Sequence, residues 1–405
     1  MVPLSMASVE FLLGDRALAT LASLAEADLS DANILPLVEK LRQQFDRTEA
    51  AVLLDQARLR RKARRKFPHP EGLFFTDDAL QQASTQACAR YRAQAYRGYR
   101  RVADLGCGIG ADTLALARVV PDVVAVERDP VRARLAEANV AASGLADRVR
   151  VVCGDWTSMS LDVDAAFVDP SRRTEQGQRV FSLDAMQPPI SAVLALVERV
   201  PNVTVKVAPG VKHQALPAAC EVVFLSEQGR LKEADLLFGG LRTGARRQAV
   251  LLPAAHRLDS EMPVGLVPVH EPEVFLYEPD PAVLRAGLVK TLASQMGAAQ
   301  IDPTIAYLTS PTLIDTPFAR SWRILRHGHF NLKELNHWLK ENQVSHVTIK
   351  KRGSPIDPDT FRRRLKVVRG GHAMTVFFSR AAGAPWMILA QEVARPIHAN
   401  QPEPL

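Results

Sequence analysis

A doubly wound α/β sheet, preceded by a helical segment and followed by a separate α+β domain, is the fold that the sequence predicts. Three observations carry the prediction. From Arg101 to Leu252 short apolar runs alternate with helical stretches, the pattern of a parallel sheet covered on both faces. A glycine-rich turn, Asp104-Leu105-Gly106-Cys107-Gly108-Ile109-Gly110, stands where the first run ends and a helix begins, and glycine there lets the backbone approach a ligand. A fresh set of strand and helix patterns starts after Pro317.

Residues 1–95 read as helices. "DANILPLVEKLRQQF" and "EAAVLLDQARLRRKARRKF" place apolar residues three and four apart, and "DDALQQASTQACARYRAQAY" follows the start signal Thr76-Asp77-Asp78. Residues 96–255 form the sheet domain. Its seven apolar runs are "RVADL", "VVAVE", "VRVVC", "AAFVD", "VTVKVA", "EVVFLSE" and "RQAVLL". The last two lack a crossover helix between them, which predicts an antiparallel pair at one edge. Residues 256–316 are proline-rich and read as a connector with one strand-like and one helical piece. Residues 317–395 supply strands "FARSWRIL", "VSHVTIKKRG", "AMTVFFSR" and "PWMILAQEV", with helices capped by Asn331 and Asp357. Residues 396–405 are expected to be an unpacked tail.

Composition sets outer limits. A chain of 405 residues exceeds one typical core and predicts two or three domains. With 47% hydrophobic and 23% charged residues it falls in the globular range and outside the disordered one. No window approaches about 18 uninterrupted apolar residues, and the start lacks the basic region of a secretory signal. A cytoplasmic protein with no membrane partner is expected. Cys88, Cys107, Cys153 and Cys220 lie far apart, and the ten histidines show no ligand spacing, so neither a metal site nor a disulfide framework is expected.

The glycine spacing is G-x-G-x-G, one residue shorter than the dinucleotide fingerprint. Asp104 at the mouth of the loop would repel a pyrophosphate, whereas a carboxylate there suits a ligand with an ammonium and a sulfonium. S-adenosylmethionine carries both charges and no phosphate. Glu127, followed by Arg128, closes the second run about 20 residues on, where a ribose diol takes a bidentate hydrogen bond. Asp155 after the third run is placed to accept from an adenine amine. Trp156 beside it fits a cofactor wall and a core position equally well. Cys107 reads as a small packed residue of the loop rather than a nucleophile. Gly106, Cys107, Gly108 and Gly110 complete the expected cofactor set.

Here the chain resembles a known group: class I S-adenosylmethionine-dependent methyltransferases, and among them bacterial proteins with a carboxy-terminal THUMP-like domain, akin to trimethylguanosine synthases. The resemblance rests on "KARRKF…LFFTDDALQQAS", "VADLGCGIGAD", "FVDPSRR", "KVAPG", "IAYLT" and "IKKRG". It implies a Rossmann-like seven-stranded methyltransferase sheet with helices before it and a THUMP-like α+β domain after it. In relatives that methylate exocyclic base amines, the fourth strand ends in Asp or Asn, then Pro-Pro, then an aromatic residue. Asp169 and Pro170 match, and Ser171 and Arg172 depart from that pattern; the departure removes the expected stacking ring. The resemblance therefore implies Asp169, Pro170, Ser171 and Arg172 as the catalytic group, with Asp169 also facing the cofactor. Arg172 and Arg173 are candidates to grip a phosphate or to stack on a base. By the same resemblance Phe74 and Thr76 line the methyl-donor pocket, while a hydrophobic staple with a helix cap accounts for them equally.

Net charge is +7 and clustered. Arg58, Arg60, Arg61, Lys62, Arg64, Arg65 and Lys66 stand close together, as do Arg97, Arg100 and Arg101, and Lys350, Lys351, Arg352, Arg362, Arg363, Arg364, Lys366 and Arg369. Arg61, Arg64, Arg65, Arg173, Lys350, Lys351 and Arg352 are the expected RNA contacts. THUMP domains proper bind tRNA, so the resemblance implies an RNA methyltransferase acting on guanine N2 in structured RNA such as tRNA. The rival readings are a protein or small-molecule acceptor, and an RNA-binding protein with a vestigial cofactor fold.

Overall fold

The computed structural model describes residues 3–30, 32–171 and 182–394. The chain divides into two compact units, Met1–Glu221 with Ala234–Thr243, and Val222–Glu233 with Gly244–Leu405.

The first unit opens with six helices: α1 (Met6–Leu13), α2 (Asp15–Leu24), α3 (Ile34–Arg42), α4 (Arg47–Ala63), α5 (Asp77–Gln82) and α6 (Gln86–Gln94). Helix α4 starts at a reciprocal cap, with Asp46 accepting from the Glu49 N–H at 2.8 Å and Glu49 accepting from the Asp46 N–H at 3.1 Å. The apolar faces meet in one core that includes Leu12, Leu21, Leu53, Leu59 and Phe75.

The sheet of this unit is built from β1 (Arg101–Leu105), β2 (Asp122–Glu127), β3 (Val149–Cys153), β4 (Ala165–Val168) and β5 (Val203–Val207), with helices α7 (Ala111–Leu116), α8 (Pro130–Ala142) and α9 (Ile190–Arg199) between strands. The order is β3-β2-β1-β4-β5, all parallel. The carboxyl ends of β1 to β4 therefore share one edge, which is where open α/β sheets bind ligands.

Strand β6 (Glu221–Glu227) turns into β7 (Arg230–Leu237) through Gln228 and Gly229, both at positive φ, as a two-residue hairpin requires. From Ala234 to Leu237, β7 runs antiparallel to β5, with Lys206 opposite Asp235. The sequence reading missed β7, because four of its eight residues are charged and hide the apolar period. It also expected "EVVFLSE" and "RQAVLL" to be antiparallel. The structure corrects this: β6 pairs parallel with β8 (Arg247–Leu252), and β8 pairs antiparallel with β9 (His256–Asp259).

The second unit also holds β10 (Phe275–Pro279), α10 (Pro281–Ala286), α11 (Val289–Met296), β11 (Ala299–Gln300), β12 (Leu308–Ser310), β13 (Ala319–His329), α12 (Leu332–Glu341), β14 (Val344–Lys351), α13 (Pro358–Arg362), β15 (His372–Ala381) and β16 (Ala384–Glu392). They form a seven-stranded sheet in the order β11-β12-β10-β13-β16-β15-β14. The stretch 256–316, read from sequence as a connector, thus gives β10, β11 and β12 to this sheet, and β10 pairs with β13 from Phe275↔Arg323 to Pro279↔Ala319. One core packs α12 and Phe361 against β14, β15 and β16; another gathers Trp322, Tyr307, Phe377 and Trp386. Asn331 and Asp357 cap α12 and α13 as expected. No helix among the described residues is long and apolar enough to cross a membrane.

Two buried amides tie the extended segment before α5 to its surroundings. Gln56 on α4 donates to the Phe75 carbonyl at 2.5 Å and accepts from its N–H at 3.1 Å. Asn139 on α8 accepts from the Phe74 N–H at 2.7 Å and donates to the carbonyls of Phe74 at 3.0 Å and Ile109 at 2.9 Å. It joins the helical segment to the glycine loop. Asn139→Ala leaves three buried backbone groups without partners, so urea unfolding is expected to show a loss of about 3 kcal/mol; a loss below about 0.5 kcal/mol would contradict this account.

Candidate active site

The loop after β1 is held from behind. Gly106 and Cys107 both donate to the Val126 carbonyl, at 2.9 and 3.0 Å. Gly106 has φ near 84°, and a Cβ there would stand 2.7 Å from the Asp169 carbonyl oxygen, so only glycine lets the loop lie against the end of β4. Gly108 donates to Glu127 Oε2 at 2.9 Å. A Cβ on Gly108 would meet nothing within 4 Å, so the outward face of the loop is open. Gly110 starts α7.

Asp104 is not at the mouth of the loop, as the sequence reading expected. It is fully buried beneath it: one carboxylate oxygen accepts from Thr113 Oγ1 at 2.5 Å, and the other, Oδ1, has no hydrogen-bond partner. Burial, then the nearby Asp112 and Asp169, push its pKa up to about 8. At neutral pH this carboxyl holds a proton. Cys107 is buried against Ala125 and Ala136, and burial followed by the charges of Asp104 and Glu127 raises its thiol well above the ordinary value. It packs, as the sequence reading favoured, and offers no thiolate.

Glu127 ends β2 with its carboxylate on the Gly108 N–H, on the Asp129 N–H at 2.9 Å and on the Arg132 guanidinium at 3.1 Å. Arg128 beside it is exposed. Asp155 is exposed after β3, and its Oδ1 accepts from both the N–H and the Oγ1 of Thr157. Those two bonds hold its carboxyl below the usual range. Trp156 is buried.

Asp169 follows β4 directly, its N–H donating to the Leu105 carbonyl at 3.0 Å. One carboxylate oxygen lies 2.5 Å from the Lys206 ammonium. Pro170 is buried, and Ser171 exchanges both backbone hydrogen bonds with Gln187. Arg172 and Arg173 lie outside the described residues. Phe74 is buried in the helical core with the Arg60 guanidinium 5.0 Å from its ring centre. Thr76 caps α5 through its Oγ1 at 3.1 Å.

Sequence reasoning missed the ionic run beneath this edge. Arg92 on α6, 3% exposed, pairs with Asp235 at 3.1 and 3.2 Å and with Asp112, and lies over the Phe167 ring. Lys206 pairs with Asp169 and donates to Ser84 Oγ at 3.2 Å and the Gln82 carbonyl at 3.4 Å. A charge inside the otherwise apolar strand "VTVKV" was the available signal.

The basic runs are largely committed. Arg61 donates to the carbonyls of Ala25 and Ala27, Lys62 pairs with Asp77, Arg64 with Glu71, and Lys66 donates to the carbonyls of Leu80, Gln81 and Ala83. Arg65 is exposed. In the second unit Lys350 and Arg352 converge on Glu278, Lys350 over the Trp322 ring and Arg352 over Tyr307. Lys351 is exposed. Among the described residues no His, Cys, Asp or Glu cluster is placed to hold a metal ion.

The open face at Gly108 fits a small ligand that needs close backbone approach, as S-adenosylmethionine does. Known proteins agree. A methyltransferase-domain family matches residues 102–170, a THUMP domain-like family residues 319–392, and a domain of unknown function residues 5–63. The crystal structure of a Porphyromonas gingivalis W83 protein of assumed methyltransferase activity superposes with a TM-score of 0.73, covering 91% of this chain and all of that one at 20% identity. A 23S rRNA (uracil(1939)-C(5))-methyltransferase of Acidithiobacillus ferrooxidans is 34% identical over 110 residues, 25% of this chain and 24% of that protein. An uncharacterized S-adenosylmethionine-dependent methyltransferase of Mycobacterium tuberculosis is 34% identical over 330 residues, 80% of this chain and 88% of that protein. Likeness of that extent, with both domains matched, places the chain in the family of class I S-adenosylmethionine-dependent methyltransferases that carry a THUMP-like domain.

Proposed function

We propose that the chain methylates an exocyclic amine of a base in structured RNA, with guanine N2 as the acceptor. The observation that carries this reading is the Asp169–Lys206 pair beside Gly106, a carboxyl group held at the carboxyl edge of the sheet. The THUMP-like domain supports RNA as the partner. S-adenosylmethionine, when bound, supplies a methyl group already activated on a sulfonium.

The protein's task is then mainly positioning. Glu127 and Asp155 are the acceptors for the ribose and the adenine amine; Asp155 keeps its Oδ2 off Thr157. Asp169 and a neighbouring backbone carbonyl accept the two amine hydrogens, which aims the nitrogen lone pair at the methyl. As that nitrogen gains positive charge, the Asp169 carboxylate stabilises it and takes its proton. Phe74 and Thr76 border the donor pocket, and Arg172 and Arg173 grip the RNA. Arg65, Lys351 and their neighbours track phosphates.

Tritiated methyl transfer to total RNA from a strain lacking the gene, followed by nucleoside mass spectrometry, tests the reading. Wild-type protein is expected to label an N-methylated guanosine. Asp169→Ala is expected to cut labelling at least about 100-fold while calorimetry shows cofactor binding retained. Equal activity would remove Asp169 from its role, and labelling of protein in place of RNA would remove the acceptor. Asp104 gives a second test. Its folded carboxyl titrates near 8 and its ordinary value is 3.8, so between these the native state holds a proton that the unfolded chain releases. Its stabilising share is full at low pH and is lost as pH rises through about 8. The fall in unfolding midpoint from pH 6.5 to 8.5 should flatten in Asp104→Asn; an unchanged slope would refute the buried proton.

A further inference from the structure

Lys206 is 1% exposed in a strand whose other residues are Val203, Thr204, Val205 and Val207. Its ammonium has three N–H donors and meets Asp169 Oδ2 at 2.5 Å, Ser84 Oγ at 3.2 Å and the Gln82 carbonyl at 3.4 Å. An ammonium so engaged is charged, with no lone pair to take up a proton. Burying a lysine is costly even with a carboxylate beside it, and apolar residues of similar volume generally hold a fold as well or better. The fold alone does not explain its presence.

What the lysine supplies is orientation. The backbone of Asp169 is fixed by its bond to Leu105 and by the close approach of Gly106, but the carboxylate plane is set by what holds its oxygens. We infer that Lys206 is the positioning residue of the methyl transfer: it grips one oxygen of Asp169, keeps the carboxylate ionised and turns it toward the acceptor amine. Through Gln82 and Ser84 it also links that carboxylate to the joint between α5 and α6, so the segment following Phe74 and Thr76 and the acceptor site are set together. The inference rests on the reading of Asp169 as the receiver of the amine hydrogens.

Lys206→Met, Lys206→Arg and Asp169→Asn in the full chain test it. Lys206→Met should keep cofactor affinity within about threefold by calorimetry and lose at least about 100-fold in kcat on RNA, with KM changed less than about threefold. Lys206→Arg should recover at least about tenfold of that loss. Combining Lys206→Met with Asp169→Asn should add little, because the two act as one unit. Retained kcat in Lys206→Met would overturn the inference, as would parallel loss of cofactor binding and thermal stability that the arginine does not rescue. Crystal structures of the wild type and Lys206→Met give a readout that needs no acceptor. A turned Asp169 carboxylate is expected, and an unmoved one overturns the inference. If wild-type protein labels no RNA while Asp169 does turn, the acceptor assignment fails and the positioning role stands.

Discussion

A buried charge is tolerated only when it has a partner, and that constraint organises the carboxyl edge of the parallel sheet. Asp112 on α7 and Asp235 on β7 both pair with Arg92 on α6, while Lys206 on β5, opposite Asp235 in the strand register, pairs with the partly exposed Asp169 after β4. Each lies on a different element. Removing Arg92 takes the cation from both Asp112 and Asp235, and removing Lys206 takes it from Asp169, so the helical segment, the glycine loop and the ends of these strands are set together. With Asp104, the described residues of this region include four carboxyl groups, Asp104, Asp112, Asp169 and Asp235, and two cations, Arg92 and Lys206. The least supported of the four is Asp104, with Thr113 alone on one oxygen and nothing on the other, and it is the one that burial drives to hold a proton.

The parallel strands and the glycine loop were legible because their signals are local. Short apolar runs mark β1 to β5, and glycine must stand at position 106, where a Cβ would come within 2.7 Å of the Asp169 carbonyl oxygen. Strand β7 was not legible. Arg230, Lys232, Glu233 and Asp235 look like a solvated loop until Arg92, nearly 150 residues away in sequence, supplies the partner for Asp235. Arg92 was hidden in turn, since it stands near Arg90 and Arg97 on a helix that reads as charged surface. Two- and three-residue strands such as β11 and β12 carry too little pattern to be seen. Their place is fixed by pairing, which is a property of the folded chain.

Charge density proved a poor guide to accessibility. Seven cations within residues 58–66 promised an anionic partner, yet Arg61 and Lys66 are engaged with backbone carbonyls, and Lys62 and Arg64 with carboxylates. They cap and tie helices, which leaves the exposed Arg58 and Arg65 to face solvent. Lys350 and Arg352 repeat the lesson, gathered on Glu278 over aromatic faces, while Arg363, Lys366 and Arg369 stand exposed nearby in sequence. The case for RNA therefore leans on the THUMP-like domain more than on the number of basic residues.

The chemistry at β4 also separates the proposed amine from a pyrimidine carbon as acceptor. Methylating a pyrimidine carbon calls for a covalent adduct, hence a thiolate or similar nucleophile beside the reacting ring. Of the four cysteines, Cys88, Cys107 and Cys220 are buried, Cys107 with its thiol pushed away from ionisation, and Cys153 lies at the end of β3 rather than β4. An amine needs no such group. It needs a fixed acceptor for its hydrogens and a negative charge as it turns cationic, the two roles proposed for Asp169 held by Lys206. The aromatic ring that the pattern has where this chain has Arg172 bears on how a base is stacked, not on this electrostatic demand. Ser171 is instead bonded to Gln187 through both backbone groups, which steadies the chain just beyond the carboxylate. The same aspartate that departs least from the family pattern is the one the interior is arranged to hold.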